Sequence, residues 1–221
     1  MRHPKLAPNP SIPLVLAWAA LLVTSGCTSV AGTIDGERVA VGSAYFAQTS
    51  IEDTGLVVVV VSSQQDACEI DDAYRTELED AVDVADAAEV WADYRDPEMW
   101  NFQVYIVGDP GDDLSETSME TLDWDEEITE DHQTWLEATH VTQLLDEDYF
   151  AGEGDPDDYY DYYLSDGGSL EITRHDPGEA LSAKFETTVV DWDDGDEQGD
   201  IKLTIYGAER CRAMEDWFFG E

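Results

Sequence analysis

The run GLVVVVVSS, residues 55–63, places five valines side by side. β-Branched residues favour extended backbone, and a strand with one wet face alternates apolar and polar positions. This run does not alternate, so it predicts a strand buried on both faces or nearly so. Upstream, Asp35-Gly36 can supply the positive φ of a tight hairpin turn. Val39, Val41 and Ser43 alternate with Ala40, Gly42 and Ala44, the period of a strand. From Asp71 to Tyr94 the period changes. Tyr74, Leu78, Ala81, Ala85, Ala88 and Trp91 recur at three and four and make one apolar stripe of a helix. Asp71 or Asp72 can cap its start, acids in its first turns complement the helix dipole, and Pro97 lies just past its end.

The run WNFQVYIVGDPGDD predicts a strand into a turn, with Phe102, Val104 and Ile106 on one face. Residues 112–150 mix both periods and predict a strand near 118–124, then a helix or broken strand over 129–145. In the C-terminal third, strands are expected over 159–164, 169–174, 183–192 and 200–206, separated by SDGG, HDPGEALS and DDGDEQG. Leu170 and Ile172 share a face, as do Phe185, Thr187 and Val189, and Ile201, Leu203 and Ile205. Together these elements predict a mainly β fold, an antiparallel β-sandwich or barrel-like meander with one or two helices.

The start of the chain follows another logic. Arg2 and Lys5 precede an apolar stretch from Ile12 to Val23, too short to span a bilayer and of the length of a signal-peptide core. It ends in Val23-Thr24-Ser25-Gly26-Cys27, which resembles a bacterial lipobox, although such motifs usually carry Leu where Thr24 stands. The resemblance implies a signal peptide over 1–26 and cleavage after the small Gly26. The Cys27 thiol would then take a diacylglyceryl group. Bacterial lipoproteins carry two or three acyl chains, and each buried methylene contributes about 0.8 kcal/mol, so the membrane would be held through the N-terminal lipid. Residues 27–32 would be a lipidated, flexible tether, with a single β-rich domain over 33–221. Ser29 stands where an Asp tends to retain Gram-negative lipoproteins at the inner membrane, which implies the cell envelope and, in such a host, the outer membrane.

Charge narrows the partners. The chain has 52 Asp and Glu against 10 Lys and Arg, a formal net charge of −42. That excludes a nucleic-acid footprint or a polybasic membrane patch. Apolar and aromatic residues are plentiful and periodic, unlike a disordered composition. The acids are either a solvated, self-repelling surface suited to saline surroundings or, in part, calcium sites. Two loops are candidates for the latter: Asp155, Asp157, Asp158, Asp161 and Asp166 in one, and Asp191, Asp193, Asp194, Asp196 and Asp200 in the other. Neither has EF-hand spacing, and with this many acids such clusters arise by chance, so solvated turns are the favoured reading. No other cofactor is indicated.

If Cys27 is acylated, Cys68 and Cys211 remain as an even pair in an oxidising compartment, where a bridge tying an early strand to the last one is expected. The opening GTIDGERVAVGSAYF and the closing GGSLEITRHDPGEALSAKFETTVVDW with DIKLTIYGAERC are similar to uncharacterised myxobacterial-type β-rich lipoproteins. That likeness supports the fold and the bridge. It implies no activity.

Signals for catalysis are sparse. There is no GxSxG, Walker loop or HExxH, and His132, His140 and His175 are scattered. Tyr159, Tyr160, Tyr162 and Tyr163 could form a stacking platform, and strand alternation would send two inward and two outward. Trp217, Phe218 and Phe219 either pack back on the domain or offer an apolar contact. The expected role is a lipid-anchored, non-catalytic structural or binding module with an unspecified protein or glycan partner. A calcium-dependent adhesion module and a carboxylate-based hydrolase are the alternatives. The hydrolase would need a cleft in which one acid titrates above its neighbours. Mass spectrometry of the native N-terminal peptide should find Cys27 acylated and no residue before it. Replacement of Cys27 by Ser should move the protein from the detergent phase to the aqueous phase.

Overall fold

The computed structural model describes residues 27–51, 54–108, 116–118, 134–176, 178–193 and 195–219. Strand β1 (Cys27–Ile34) turns through Asp35 and Gly36 into β2 (Glu37–Arg38). Both turn residues hold positive φ, 51° and 78°, as the hairpin requires. There follow β3 (Ser43–Ile51), β4 (Thr54–Ser62), α1 (Ala67–Asp80), α2 (Val84–Tyr94), β5 (Trp100–Gly108), β6 (Glu116–Ser118) and β7 (Thr134–Val141). The last third holds α3 (Glu147–Phe150), β8 (Tyr160–Ser165), β9 (Ser169–Asp176), β10 (Ala180–Asp191), β11 (Glu197–Arg210) and α4 (Glu215–Phe219).

The fold is mainly β with a few helices, as the periodicity predicts, and its sheet is mixed but mostly antiparallel. Strands β3, β4, β5, β7, β8, β10 and β11 pair in that order, and β11 returns to β3 through a short parallel contact at Glu209 and Arg210. The circuit is therefore closed, as in a barrel. Closure depends on the two longest strands serving two neighbours along one edge. The free edge of β10 takes β9 along 180–186 and β8 along 189–191. The free edge of β11 takes β1 along 201–206 and then β3. A bulge makes the second change of partner possible. Gly207, at φ 66°, donates its N–H to Ser182 Oγ at 2.9 Å where the register of β10 and β11 shifts.

The valine run explains the layering. Val57, Val59 and Val61 join Phe46, Phe102, Leu136, Phe185 and Leu203 in the interior. Val58 and Val60 point the other way, into a smaller cluster with Tyr45, Ala47, Ala67, Cys211 and Met214 beneath α1 and the C-terminal helix. All five valines are 6% exposed or less. Phe102, Val104 and Ile106 also share the interior, with the expected faces of β9, β10 and β11.

Several expectations are corrected. Residues 71–94 are not one helix: the apolar stripe runs on, but Val82 is 83% exposed and Asp83 starts a second helix. The Asp83 carboxylate accepts N–H groups from Ala85 and Asp86 at 3.0 and 3.1 Å, a side-chain cap that interrupts the first helix. Asp71 is not a cap. It is buried, accepting the Tyr45 hydroxyl at 2.6 Å and Arg95 Nη1 at 2.6 Å, and Asp66 occupies the cap position without a side-chain bond. Residues 27–32, read as a flexible tether, are in β1 and pair with β11. The strand expected over 39–44 begins at Ser43, and of the two alternatives read over 129–145, helix or broken strand, it is a strand that forms over 134–141. The region 119–133 lies outside the described residues. The C-terminal third is not a simple meander, because β8 pairs with β7 and β10 and not with β9.

Cys68 and Cys211 are bridged, with Cα atoms 5.8 Å apart across 143 positions of sequence. Cys68 sits in the first turn of α1, so the bond ties a helix, not an early strand, to the end of β11. Replacing both cysteines by Ala should lower stability by about 2–5 kcal/mol in urea denaturation. Asp83→Ala should cost about 1 kcal/mol by the same measurement.

Candidate functional site

The two acidic loops of the C-terminal third come together on the outer face of β7 and β8. They flank a groove of about 410 Å³. Pro156 and Asp157 form one wall, Trp192 and Asp193 the other, and Thr139, Tyr160 and Tyr162 the floor. Both walls are built the same way. Asp155 Oδ1 accepts the Asp157 N–H at 3.4 Å, and Asp191 Oδ1 accepts the Asp193 N–H at 2.8 Å. In each loop the first acid fixes the turn and the acid two places on is left to face the groove. The Trp192 N–H donates to the Tyr162 carbonyl at 3.0 Å, which pins the β10–β11 turn against β8.

The electrostatics follow from this convergence. The Asp193 carboxylate, foremost, pushes Asp157 above the ordinary carboxylate range, with loss of hydration and the charges of Asp155, Asp158 and Asp191 adding to it. Among the described residues no lysine or arginine lines the groove. Tyr162 and Trp192 meet edge to face at 5.6 Å, and Trp192 is 44% exposed. Burial, followed by a hydrogen bond to Tyr149, pushes the Tyr160 hydroxyl up to about 12. Burial, reinforced by Glu137, also raises Tyr162, so both hydroxyls stay neutral at physiological pH. The site offers aromatic faces, neutral donors and two facing carboxylates. That set suits a positive or polyhydroxylated group and repels an anion.

The remaining candidates have other work. Of the four tyrosines, Tyr163 points inward and joins the interior cluster, while Tyr159, just before β8, is buried against Tyr149 and donates to Asp146 Oδ1 at 2.7 Å. That bond holds Asp146 below the usual carboxylate range, and the same carboxylate caps α3. Asp161 lies 3.3 Å from His140 Nδ1, and Asp200 accepts the Thr188 hydroxyl at 2.9 Å. Asp196 closes its turn by accepting the Asp191 N–H on its carbonyl. Asp158 ends the short helical turn 156–158, and Asp166 donates its N–H to Thr188. Among the described residues no group of three or more His, Cys, Asp or Glu side chains is arranged as cation ligands would be. Asp194 and His132 lie outside them. His140 stacks flat on Trp100 at 4.2 Å, and His175 is held below its ordinary pKa by burial. Cys27 opens β1 opposite Tyr206. Phe218 packs on the outer cluster while Trp217 is half exposed.

Trp192, Pro156 and Thr139 are the groove residues that sequence reasoning passed over. A large aromatic inside an otherwise acidic turn was the available signal for Trp192. Compared with protein-family models, with curated proteins and with solved structures, the chain matches none of them.

The raised Asp157 has a definite sign. A carboxyl whose folded pKa is raised contributes stability fully below its ordinary value and loses that contribution as pH rises through the folded value. At neutral pH the facing pair therefore opposes folding. Asp193→Asn should raise the melting temperature at pH 7 in low salt and do so less at pH 3, where the raised Asp157 carboxyl no longer carries its charge. Thermal scans at the two pH values check this.

Proposed function

We propose that this chain is a lipid-anchored, non-catalytic binding module of the cell envelope, and that it holds positively charged groups of a partner in the groove between Asp157 and Asp193. The observation that carries the reading is the facing carboxylate pair, which has no basic residue beside it among the described residues and raises Asp157 next to the Tyr162–Trp192 edge-to-face pair. A cation placed there relieves the repulsion and meets aromatic faces at once, a combination that contributes about 0.5–2 kcal/mol per aromatic contact. Lysine or arginine side chains of a protein partner have the required charge and reach. Attachment through an acylated Cys27 would keep so acidic a domain at an anionic membrane that would otherwise repel it.

The chemistry of the lining also favours a second reading. A carboxylate hydrolase requires one acid raised within a cleft, and Asp157 has that sign. A binding carboxylate and a catalytic one differ in turnover. No release of product from chromogenic glycosides or esters is expected.

A chain of this charge attracts any basic peptide, so the test needs a charge-matched control. Binding of a lysine-rich peptide is measured by calorimetry for the parent, for D157N/D193N and for E89Q/D93N on α2. The groove variant should weaken binding by about tenfold or more and the control by about twofold or less. Equal losses in both would reduce the interaction to net charge and remove the proposed site. Strengthening by calcium, beyond that given by magnesium, would replace it with the calcium-dependent adhesion reading.

A further inference from the structure

The exposed positive charges are gathered on one side of the molecule. Among the described residues, the exposed Lys and Arg side chains are Arg38, Arg174, Lys184, Lys202 and Arg212. They lie on β2, β9, β10 and β11 and just past the end of β11. Arg75 and Arg95, beside the helices, are at most 19% exposed and are engaged with acids. The helices present the opposite kind of surface, with Glu77, Asp80, Asp86, Glu89 and Asp93 lining one cleft between α1 and α2. In a chain of 52 acids and 10 bases, this asymmetry leaves one side that an anionic surface repels least.

The outer face of β10 and β11 is the centre of that side. Lys202, Thr204 and Tyr206 alternate with buried Ile201, Leu203 and Ile205, and Lys184 and Glu186 flank buried Phe185. Lys184 pairs with Glu171 at 2.7 Å and Lys202 with Glu186, so the charges at the centre of the face balance. Tyr206 is 55% exposed. An aromatic ring with a polar tip is favoured where an apolar layer meets water.

The chain enters its first strand at the same place. Cys27 is the residue of β1 in register with Tyr206, and antiparallel partners stand about 5 Å apart. No residue separates Cys27 from the ladder, so a lipid attached there leaves no slack in which the domain could turn. The flank around Tyr206 is thereby kept close to the headgroups.

We infer that the outer face of β10 and β11, centred on Tyr206, rests on the headgroups of an anionic lipid bilayer, with Lys184 and Lys202 toward the phosphates and the acidic helices turned away. The inference rests on the acylation of Cys27 proposed above and adds to it the orientation of the domain. Basic side chains close to an anionic leaflet are attracted to it, and the acids of α1 and α2 are repelled.

The test uses the native chain, reconstituted in vesicles of phosphatidylcholine and phosphatidylglycerol that include a phospholipid with a photoreactive diazirine on its headgroup. Crosslinked peptides are mapped by mass spectrometry, and the same digest reports the mass of Cys27. Peptides covering 180–186 and 200–206 should carry about tenfold more crosslinks than α2. Tyr206→Ser and K184Q/K202Q should each lower that ratio by about threefold or more. Both variants change only exposed side chains, so each should melt near the temperature of the parent. An acylated Cys27 with crosslinks spread evenly, or concentrated on the helices, overturns the inference and leaves the anchor standing. A bare Cys27 removes the anchor and the inference with it. A ratio that neither variant lowers would show that attachment alone sets the orientation, with no part for this face, and would overturn the inference too.

Discussion

Burial of both faces of β4 is the constraint from which the architecture follows. A strand of five consecutive valines has no side to give to water, and each such side chain contributes about 1.5–3 kcal/mol when fully buried. One face is covered by closing the sheet on itself, which sets the alternating interiors of β5, β10 and β11. The other face needs a second layer, and α1 with the C-terminal helix supplies it. That outer layer is thin, so it is held by directional bonds: the Cys68–Cys211 bridge, and Asp71 joined to Tyr45 on β3 and to Arg95 beyond α2. The buried acid has one partner in the sheet and one past the end of the second helix, so it fixes the position of the layer as well as its adhesion. Its removal would strand Arg95 in an apolar site, and loss of a partner in a buried pair is more damaging than replacement of the whole pair.

Two of the few basic residues relieve the sheet. Lys184 lies directly across from Glu171 in the register of β9 and β10, and Lys202 across from Glu186 in that of β10 and β11; each pair is bonded. Cross-strand opposite charges stabilise modestly, and like charges in the same positions would oppose pairing. Both lysine pairs are exposed and contribute little singly. Their value is positional, since they sit on the two strands that close the circuit. The groove of Asp157 and Asp193 has no such relief, and there the acid surplus is concentrated rather than dispersed.

Local features were legible in the sequence where a local rule governs them. The Asp35-Gly36 turn, the doubly buried valine run and the alternating faces of 102–106, 185–189 and 201–205 follow from backbone preference and period. Asp83 could have been recognised as a cap, but the apolar stripe continues through Ala81 and Ala85, and period outweighed the single acid. Asp71 read as a cap because an acid at a helix start usually is one; its burial comes from Tyr45, 26 positions away, and Arg95, 24 positions on. Residues 27–32 lack strong strand propensity of their own, and their conformation is imposed by β11 at the far end of the chain. The candidate site was half visible. The tyrosine alternation and the two acidic loops could be named from the sequence. That the loops face each other is a product of β8 pairing with β10, a register no local pattern encodes.

The place of Cys27 at the start of β1 would govern how the fold answers a pull applied there. A pull at residue 27 acts at once on the pairing of β1 with β11, from Tyr206 back to Ile201. Strand β11 ends at Arg210, and the next residue passes the tension through a covalent bond into α1. Traction applied at residue 27 would thus be carried into the sheet, and the first thing to give would be a ladder of hydrogen bonds rather than a hinge.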